Sequence, residues 1–195
     1  IEGAVTTEEA AETCRRVREK AAHVMAIGAC AVTAGIPGMA ADGLAGRAQS
    51  VYGDVTPDAC DVLIEPRPVS DVIQVDSEVR CCPIDPYDFV AKLQRALYGS
   101  NRTIESRTLC ADCKRNDTAC FFAGGELCLG LVTRAGCGSR CVNLGRPCNG
   151  CAGLAPDANL GSARESCEKY GVDVAAFDKA LEMFNQVQLT CDAEE

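Results

Sequence analysis

The sequence predicts an α/β chain with a mostly parallel sheet, continued by an irregular cysteine-rich segment and closed by helices. Three observations carry this reading. Strand and helix patterns alternate over residues 1–100. Eight of the 15 cysteines lie between Cys110 and Cys151. Helical periodicity returns over residues 158–188. The expected divisions are residues 1–100, 101–156 and 157–195.

Each element has a local cause. Thr6-Thr7-Glu8-Glu9 reads as a capping box with Thr6 as cap and Glu9 three residues on. The helix it opens runs to about Lys20, with Arg15, Arg16, Arg18 and Lys20 toward the end that favours cations. Residues 23–27, ending at Gly28, form a short apolar run suited to a buried strand, and residues 72–75 are a second strand candidate. Asp85 caps a helix that has Pro86 at its first position, Val90, Leu93 and Leu97 at helical spacing, and Gly99 at its end. Residues 101–156 have few periodic apolar runs and many Gly, Cys, Asn and Arg. Such a segment needs an ordering agent beyond its own side chains, and bound metal supplies one because its binding energy becomes folding energy. Further on, Phe177, Ala180, Leu181 and Phe184 share one helical face.

Composition excludes several classes. With 195 residues, 47% of them hydrophobic, and a net charge of −9, the chain is neither disordered nor a nucleic-acid binder, since phosphate recognition needs a basic surface. No run approaches the roughly 18 uncharged apolar residues of a membrane span. One histidine, His23, allows at most one zinc site of the two-Cys, two-His kind, and His23 itself reads as a strand-end residue. No nucleophile with a base, no acid–base pair and no phosphate loop is present: Gly43 to Gly46 lacks the Lys-Ser/Thr ending. No residue is assigned a catalytic role. No basic segment followed by an apolar core opens the chain, so the expected compartment is the cytoplasm, where clustered cysteines hold metals more often than disulfides.

The chemistry sits in two consecutive quartets, Cys110, Cys113, Cys120, Cys128 and Cys137, Cys141, Cys148, Cys151. The first opens, and the second closes, with a C-x2-C pair, which lets one turn present two thiolates to one metal core. Gly136, Gly138, Gly150 and Gly153 beside them let the backbone wrap closely and aim N–H groups at sulfur. Four thiolates suit a 4Fe–4S cluster, and they also suit structural zinc. Between Arg102 and Cys151 there are seven Lys/Arg and four Asp/Glu, a basic shell that offsets ligand charge. The other seven, Cys14, Cys30, Cys60, Cys81, Cys82, Cys167 and Cys191, are scattered, and most of them suit the reading of free cysteine as a common small buried hydrophobe.

The run Gly136-Cys137-Gly138-Ser139-Arg140-Cys141, followed by Gly145-Arg146-Pro147-Cys148-Asn149-Gly150-Cys151, resembles the small subunit of nickel–iron hydrogenases, in particular the cytosolic methyl-viologen-reducing, deazaflavin-reducing and sulfhydrogenase branch. The loop around Cys30 and the loop Cys81-Cys82-Pro83 are similar to the family's third and fourth proximal-ligand loops. Ile1-Glu2-Gly3 looks like the end of that domain's second strand. The resemblance, over about residues 1–155, implies a flavodoxin-like parallel-sheet domain, an iron–sulfur domain and three 4Fe–4S clusters. Cys110, Cys113, Cys120 and Cys128 would hold the distal cluster, and Cys137, Cys141, Cys148 and Cys151 the medial one. Cys30 and Cys82 would supply half of the proximal set.

The departures are informative. Cys141 stands where the periplasmic branch has proline and a three-iron cluster; Cys110 stands where some branches have histidine. Cys81 takes a usual glycine position and is not the expected ligand, although the tandem Cys81-Cys82 leaves both open as the proximal ligand; Ala34 replaces a glycine and Ile84 a proline. The family's upstream C-x2-C pair would precede Glu2-Gly3, so the expectation is a sequence that starts past the first strand and its cluster loop; the alternative is an incomplete proximal cluster. The implied task is to relay electrons between a nickel–iron large subunit and a flavin or iron–sulfur acceptor subunit. Two rivals stay open: a relay subunit of a quinone- or heterodisulfide-reductase complex that does not use hydrogen, and a zinc-ribbon interaction module.

Overall fold

The computed structural model describes residues 1–41, 43–53, 62–99 and 107–191. Cys60, Arg102 and Glu105 lie outside the described residues. In chain order the elements are β1 (Val5–Thr7), α1 (Glu8–Lys20), β2 (Met25–Ile27), α2 (Ala29–Thr33), α3 (Leu44–Tyr52), β3 (Val62–Arg67), β4 (Ser77–Val79) and α4 (Pro86–Tyr98). They continue with α5 (Cys110–Arg115), α6 (Arg140–Asn143), α7 (Leu160–Tyr170) and α8 (Val174–Cys191), with short 3-10 turns between.

The fold is mixed α/β with small sheets. β2 and β4 pair in parallel, Met25 opposite Ser77 and Ile27 opposite Val79. Ile1 and Glu2 extend this sheet along the other edge of β2, where the Ile27 N–H donates to the Ile1 carbonyl at 2.8 Å. β1 and β3, in contrast, pair antiparallel. The expected mostly parallel sheet is therefore corrected to one parallel and one antiparallel pair among the described residues.

Two further expectations change. Thr7, not Thr6, caps α1: its side-chain oxygen accepts from the Ala10 N–H at 3.2 Å, because Thr7 is the last extended residue before the helix. Residues 72–75 are not a strand. Pro68 leads into a 3-10 turn, and the Val72 and Ile73 N–H groups both donate to the Val69 carbonyl. Those donors, spent locally, are not free for a ladder. The chain regains β2 only at Asp76, whose carboxylate accepts from the Val24 N–H at 2.7 Å and from Arg18 at 2.6 Å.

The α/β core gathers Val5, Ala11, Cys14, Val24, Ala26, Ala31, Val32, Val69 and Ile73. Cys14 and, in α7, Cys167 are buried thiols of the plain hydrophobic kind. α4 forms as expected, with the Asp85 carboxylate accepting from the Tyr87 N–H and Gly99 left-handed at its end. Its apolar residues are not core, since Val90, Leu93 and Leu97 stay exposed.

The cysteine-rich segment buries more than its composition suggests, because the C-terminal helices supply the missing partners. Phe122, Leu129 and Val132 share one core with Ala163 and Cys167 of α7 and Phe177 and Leu181 of α8. Farther along α8, Val187 packs on Gly38, where a Cβ would lie 3.3 Å from its side chain, and Gln188 accepts from the Leu154 N–H. α8 thus holds the α/β part and the cysteine-rich part together.

Candidate iron–sulfur ligand sites

The thiols fall into neighbouring groups. In one of them, Cys30 sits in the first turn of α2. The Gly28 N–H donates to the Val79 carbonyl at 2.7 Å and the Ala29 N–H to the Cys81 carbonyl at 3.1 Å, so the cysteine loop after β4 is tied to the helix that carries Cys30. Cys82 lies beside Cys30 and Cys151; burial first, then those two thiols, pushes its thiol up. Gly35 closes over Cys30: a Cβ there would meet its Sγ, Cα and N at 3.0 Å, and φ is +50°.

Cys81, Cys82, Cys137, Cys141 and Cys151 border one cavity of about 260 Å³, together with Arg80, Arg134 and Arg140. The Cys81 thiol faces Cys137 and Cys151, and their mutual closeness lowers Cys137 and Cys151 and raises Cys81. Arg80 donates to the Ala152 carbonyl at 2.9 Å and pairs with Glu78. It takes the space at Gly153, where a Cβ would lie 2.7 Å from its Nη1. The Arg134 Nε is buried without a hydrogen-bond partner on the wall of this cavity. An arginine on the wall of a thiol-lined space fits an anionic thiolate cluster.

Cys148 is set back from that wall. Burial pushes its thiol up to about 12, and its Sγ accepts from the Gly150 N–H at 3.4 Å. Its own N–H donates to the Cys128 Sγ at 3.3 Å, which joins the second quartet to the first. Cys110 feels Cys113, Cys128 and Cys120 together, and burial with those neighbours raises it to about 11. Gly130 lies between sulfurs: a Cβ would stand 3.6 Å from Cys128 Sγ and 3.8 Å from Cys110 Sγ. Alanine fits there in ordinary contact, whereas valine would project methyl groups into the thiol-lined space. Gly130→Ala should keep the full iron content, and Gly130→Val should lose about one cluster's worth of iron with the far-UV circular dichroism unchanged. Equal iron in both variants would refute the placement of a cluster between these sulfurs.

Cys82 thus neighbours Cys30 and Cys151, Cys137 and Cys141 share a cavity with Cys151, and Cys148 meets Cys128, itself near Cys110, Cys113 and Cys120. Among the described residues, no three His, Cys, Asp or Glu side chains converge on a single metal ion. The quartets are open groupings, and Cys81 joins the second of them although its glycine-like position argued against a role.

Other supporting residues carried no sequence signal. Asn116 donates to Ser139 Oγ at 2.9 Å and to the Gly138 carbonyl; Ser139 and Thr118 both donate to Asn143 Oδ1. This network binds the loop of Cys113 and Cys120 to the loop of Cys137 and Cys141. Asp112, buried between Cys110 and Cys113, pairs with Arg107 at 2.9 Å and accepts from the Gly136 N–H. Ligand loops fixed by second partners of this kind are the usual companions of metal sites.

Comparison with known proteins places the chain among subunits of oxidoreductase complexes. Residues 1–96 match the family model described as NADH ubiquinone oxidoreductase, 20 Kd subunit. The chain is 29% identical to the sulfhydrogenase 2 subunit delta of Pyrococcus furiosus, over 82% of this chain and 67% of that one. It is likewise 29% identical to a subunit of the vhu F420-non-reducing hydrogenase of Methanococcus voltae, over 97% of this chain and 75% of that one. The iron-sulfur subunit of the F420-non-reducing hydrogenase of Archaeoglobus profundus matches at 26%, over 80% and 64%. The chain is a homologue of hydrogenase subunits and spans about two thirds of their length.

Proposed function

We propose that this chain is the electron-transfer subunit of a cytoplasmic nickel–iron hydrogenase, relaying electrons between a catalytic large subunit and a flavin or iron–sulfur acceptor subunit. The observation that supports this most is the unbroken run of thiols from Cys30 and Cys82, past Cys137, Cys141 and Cys151, through Cys148 to Cys128 and Cys110. Three 4Fe–4S clusters, when bound, supply one-electron storage at successive points along that run. Cys110, Cys113, Cys120 and Cys128 would hold the distal one; Cys137, Cys141, Cys148 and Cys151 the medial one; Cys30 and Cys82 contribute to the proximal one.

What the chain itself does is bind, orient and tune. Gly150 and Cys148 aim N–H groups at ligand sulfurs. Arg80, Arg134 and Arg140 set positive charge around the medial cavity, which favours the more negative, reduced state. Burial of Cys148 and of Leu129 beside Cys128 keeps water from this part of the path. Among the described residues no helix is long and apolar enough to cross a membrane.

A second reading has its own support. The family model over residues 1–96 carries the name of a quinone-reductase subunit, which favours a relay in a complex that does not use hydrogen. Metal analysis of the complex purified with this chain decides. The hydrogenase reading expects a brown complex with about twelve iron atoms per chain, plus nickel. An active complex without nickel would sink that reading in favour of the second, and a colourless zinc protein would sink both.

A further inference from the structure

We infer that Asn185, on α8, is a positioning residue of the medial site, where its buried amide seats the Cys148–Cys151 turn so that the Gly150 N–H stays on the Cys148 sulfur. The inference rests on the ligand assignments proposed above and concerns a side chain to which they give no role.

Asn185 stands where an apolar residue is expected. It lies one turn after Leu181 and two after Phe177, on the α8 face that packs against the cysteine-rich segment. It is 1% exposed, as deeply buried as Leu181. An amide in such a place costs stability unless its polar atoms are used. Asn185 uses them only in part. Its Nδ2 donates to the Leu181 carbonyl at 3.1 Å, a bond that also fixes which end of the amide is nitrogen. Its Oδ1 has no hydrogen-bond partner among the described residues. The nitrogen carries a second hydrogen that the Leu181 carbonyl does not take.

What the amide reaches outside its own helix is the ligand turn. A Cβ at Gly150 would lie 3.2 Å from Asn185 Nδ2, 3.1 Å from Leu129 and 3.8 Å from Thr133 Oγ1. Gly150 has φ of +83°, so it combines a backbone that favours glycine with space for a hydrogen only. From there its N–H donates to Cys148 Sγ at 3.4 Å, and Thr133 Oγ1 lies 3.7 Å from the same sulfur. Thr133 in turn donates to the Leu129 carbonyl at 2.6 Å. Leu129 and Thr133 belong to the cysteine-rich segment itself; Asn185 is what α8 adds to the turn.

Packing alone would be served better by leucine, which has nearly the same shape and no polar atom to bury. The amide is accounted for by what it touches, the glycine between two ligands. An N–H held on a ligand sulfur stabilises the state with more electron density there, the reduced one. Loss of the amide therefore frees the turn and lowers the potential of the medial site.

The test uses the purified complex carrying Asn185→Leu and, separately, Asn185→Ala. Leucine keeps the bulk on α8 and alanine removes it, so the pair separates packing from the amide. In both, iron per chain should be unchanged. The EPR signal that Cys141→Ala alters should move to more negative potential in a redox titration, by about 59 mV, a tenfold change for a one-electron couple. Signals that Cys141→Ala leaves alone should stay in place, and the urea midpoint of the leucine variant should not fall. A medial potential unmoved in both variants at full iron content would overturn the inference while leaving the relay reading intact. A shift seen with alanine and absent with leucine would assign the effect to packing and overturn it as well. A wild-type chain free of iron would overturn both the inference and the relay reading.

Discussion

Replacing Cys141 by proline is expected to remove one iron atom per chain from the purified complex and convert one cubane into a three-iron cluster. Cys141 borders the medial cavity beside Cys137 and Cys151, and burial, then those two thiols, raises its thiol. It lies in the first turn of α6, where a backbone N–H has no helical partner to lose and proline is tolerated. Three thiols of the proposed medial set, Cys137, Cys148 and Cys151, then remain. Cys141→Ala makes the same deletion without touching the backbone and should give the same spectrum. An iron count and EPR spectrum unchanged in both variants would refute the medial assignment.

Phe177→Ala should be the most damaging substitution outside the ligand loops. Phe177 is fully buried, and it joins α8 to Phe122, Leu129 and Val132 of the cysteine-rich segment. Truncating a buried Phe costs about 3–5 kcal/mol through lost burial and the cavity left behind. Leu129 directly follows Cys128, so loosening this core loosens a ligand. The urea midpoint followed by circular dichroism should fall, and the urea concentration at which iron is released, read from visible absorption, should fall with it. A loss below about 1 kcal/mol, or iron release unlinked from unfolding, would show that α8 does not anchor the cysteine-rich segment.

Some features were legible because their causes are local. Asp85, Pro86 and Gly99 bound α4 through backbone preferences that hold in any context. The C-x2-C pair at Cys110 and Cys113 was legible in the same way, since one turn of α5 holds both residues. Other features were not local. The strand expected at residues 72–75 depended on where its N–H groups would be satisfied, and a 3-10 turn took them first. The sheet pairing needed partners tens of residues away, so a short apolar run could not declare its direction. Asn116, Ser139 and Asn143 carry no sign of function until two loops about 20 residues apart are laid side by side.

The sequence by itself determined the spacing of the cysteines in two quartets, the Lys and Arg among them, and helices at either end. That information is carried by residue type and short spacing, which survive without a fold. Only the tertiary structure decided how the thiols connect. It linked Cys148 to Cys128, set Cys82 near Cys30, and placed Cys81 on one cavity wall with Cys137, Cys141 and Cys151. Those relations arise when α8 and the β2–β4 sheet fix segments far apart in the chain, because sulfur hydrogen bonds act only over a few ångströms.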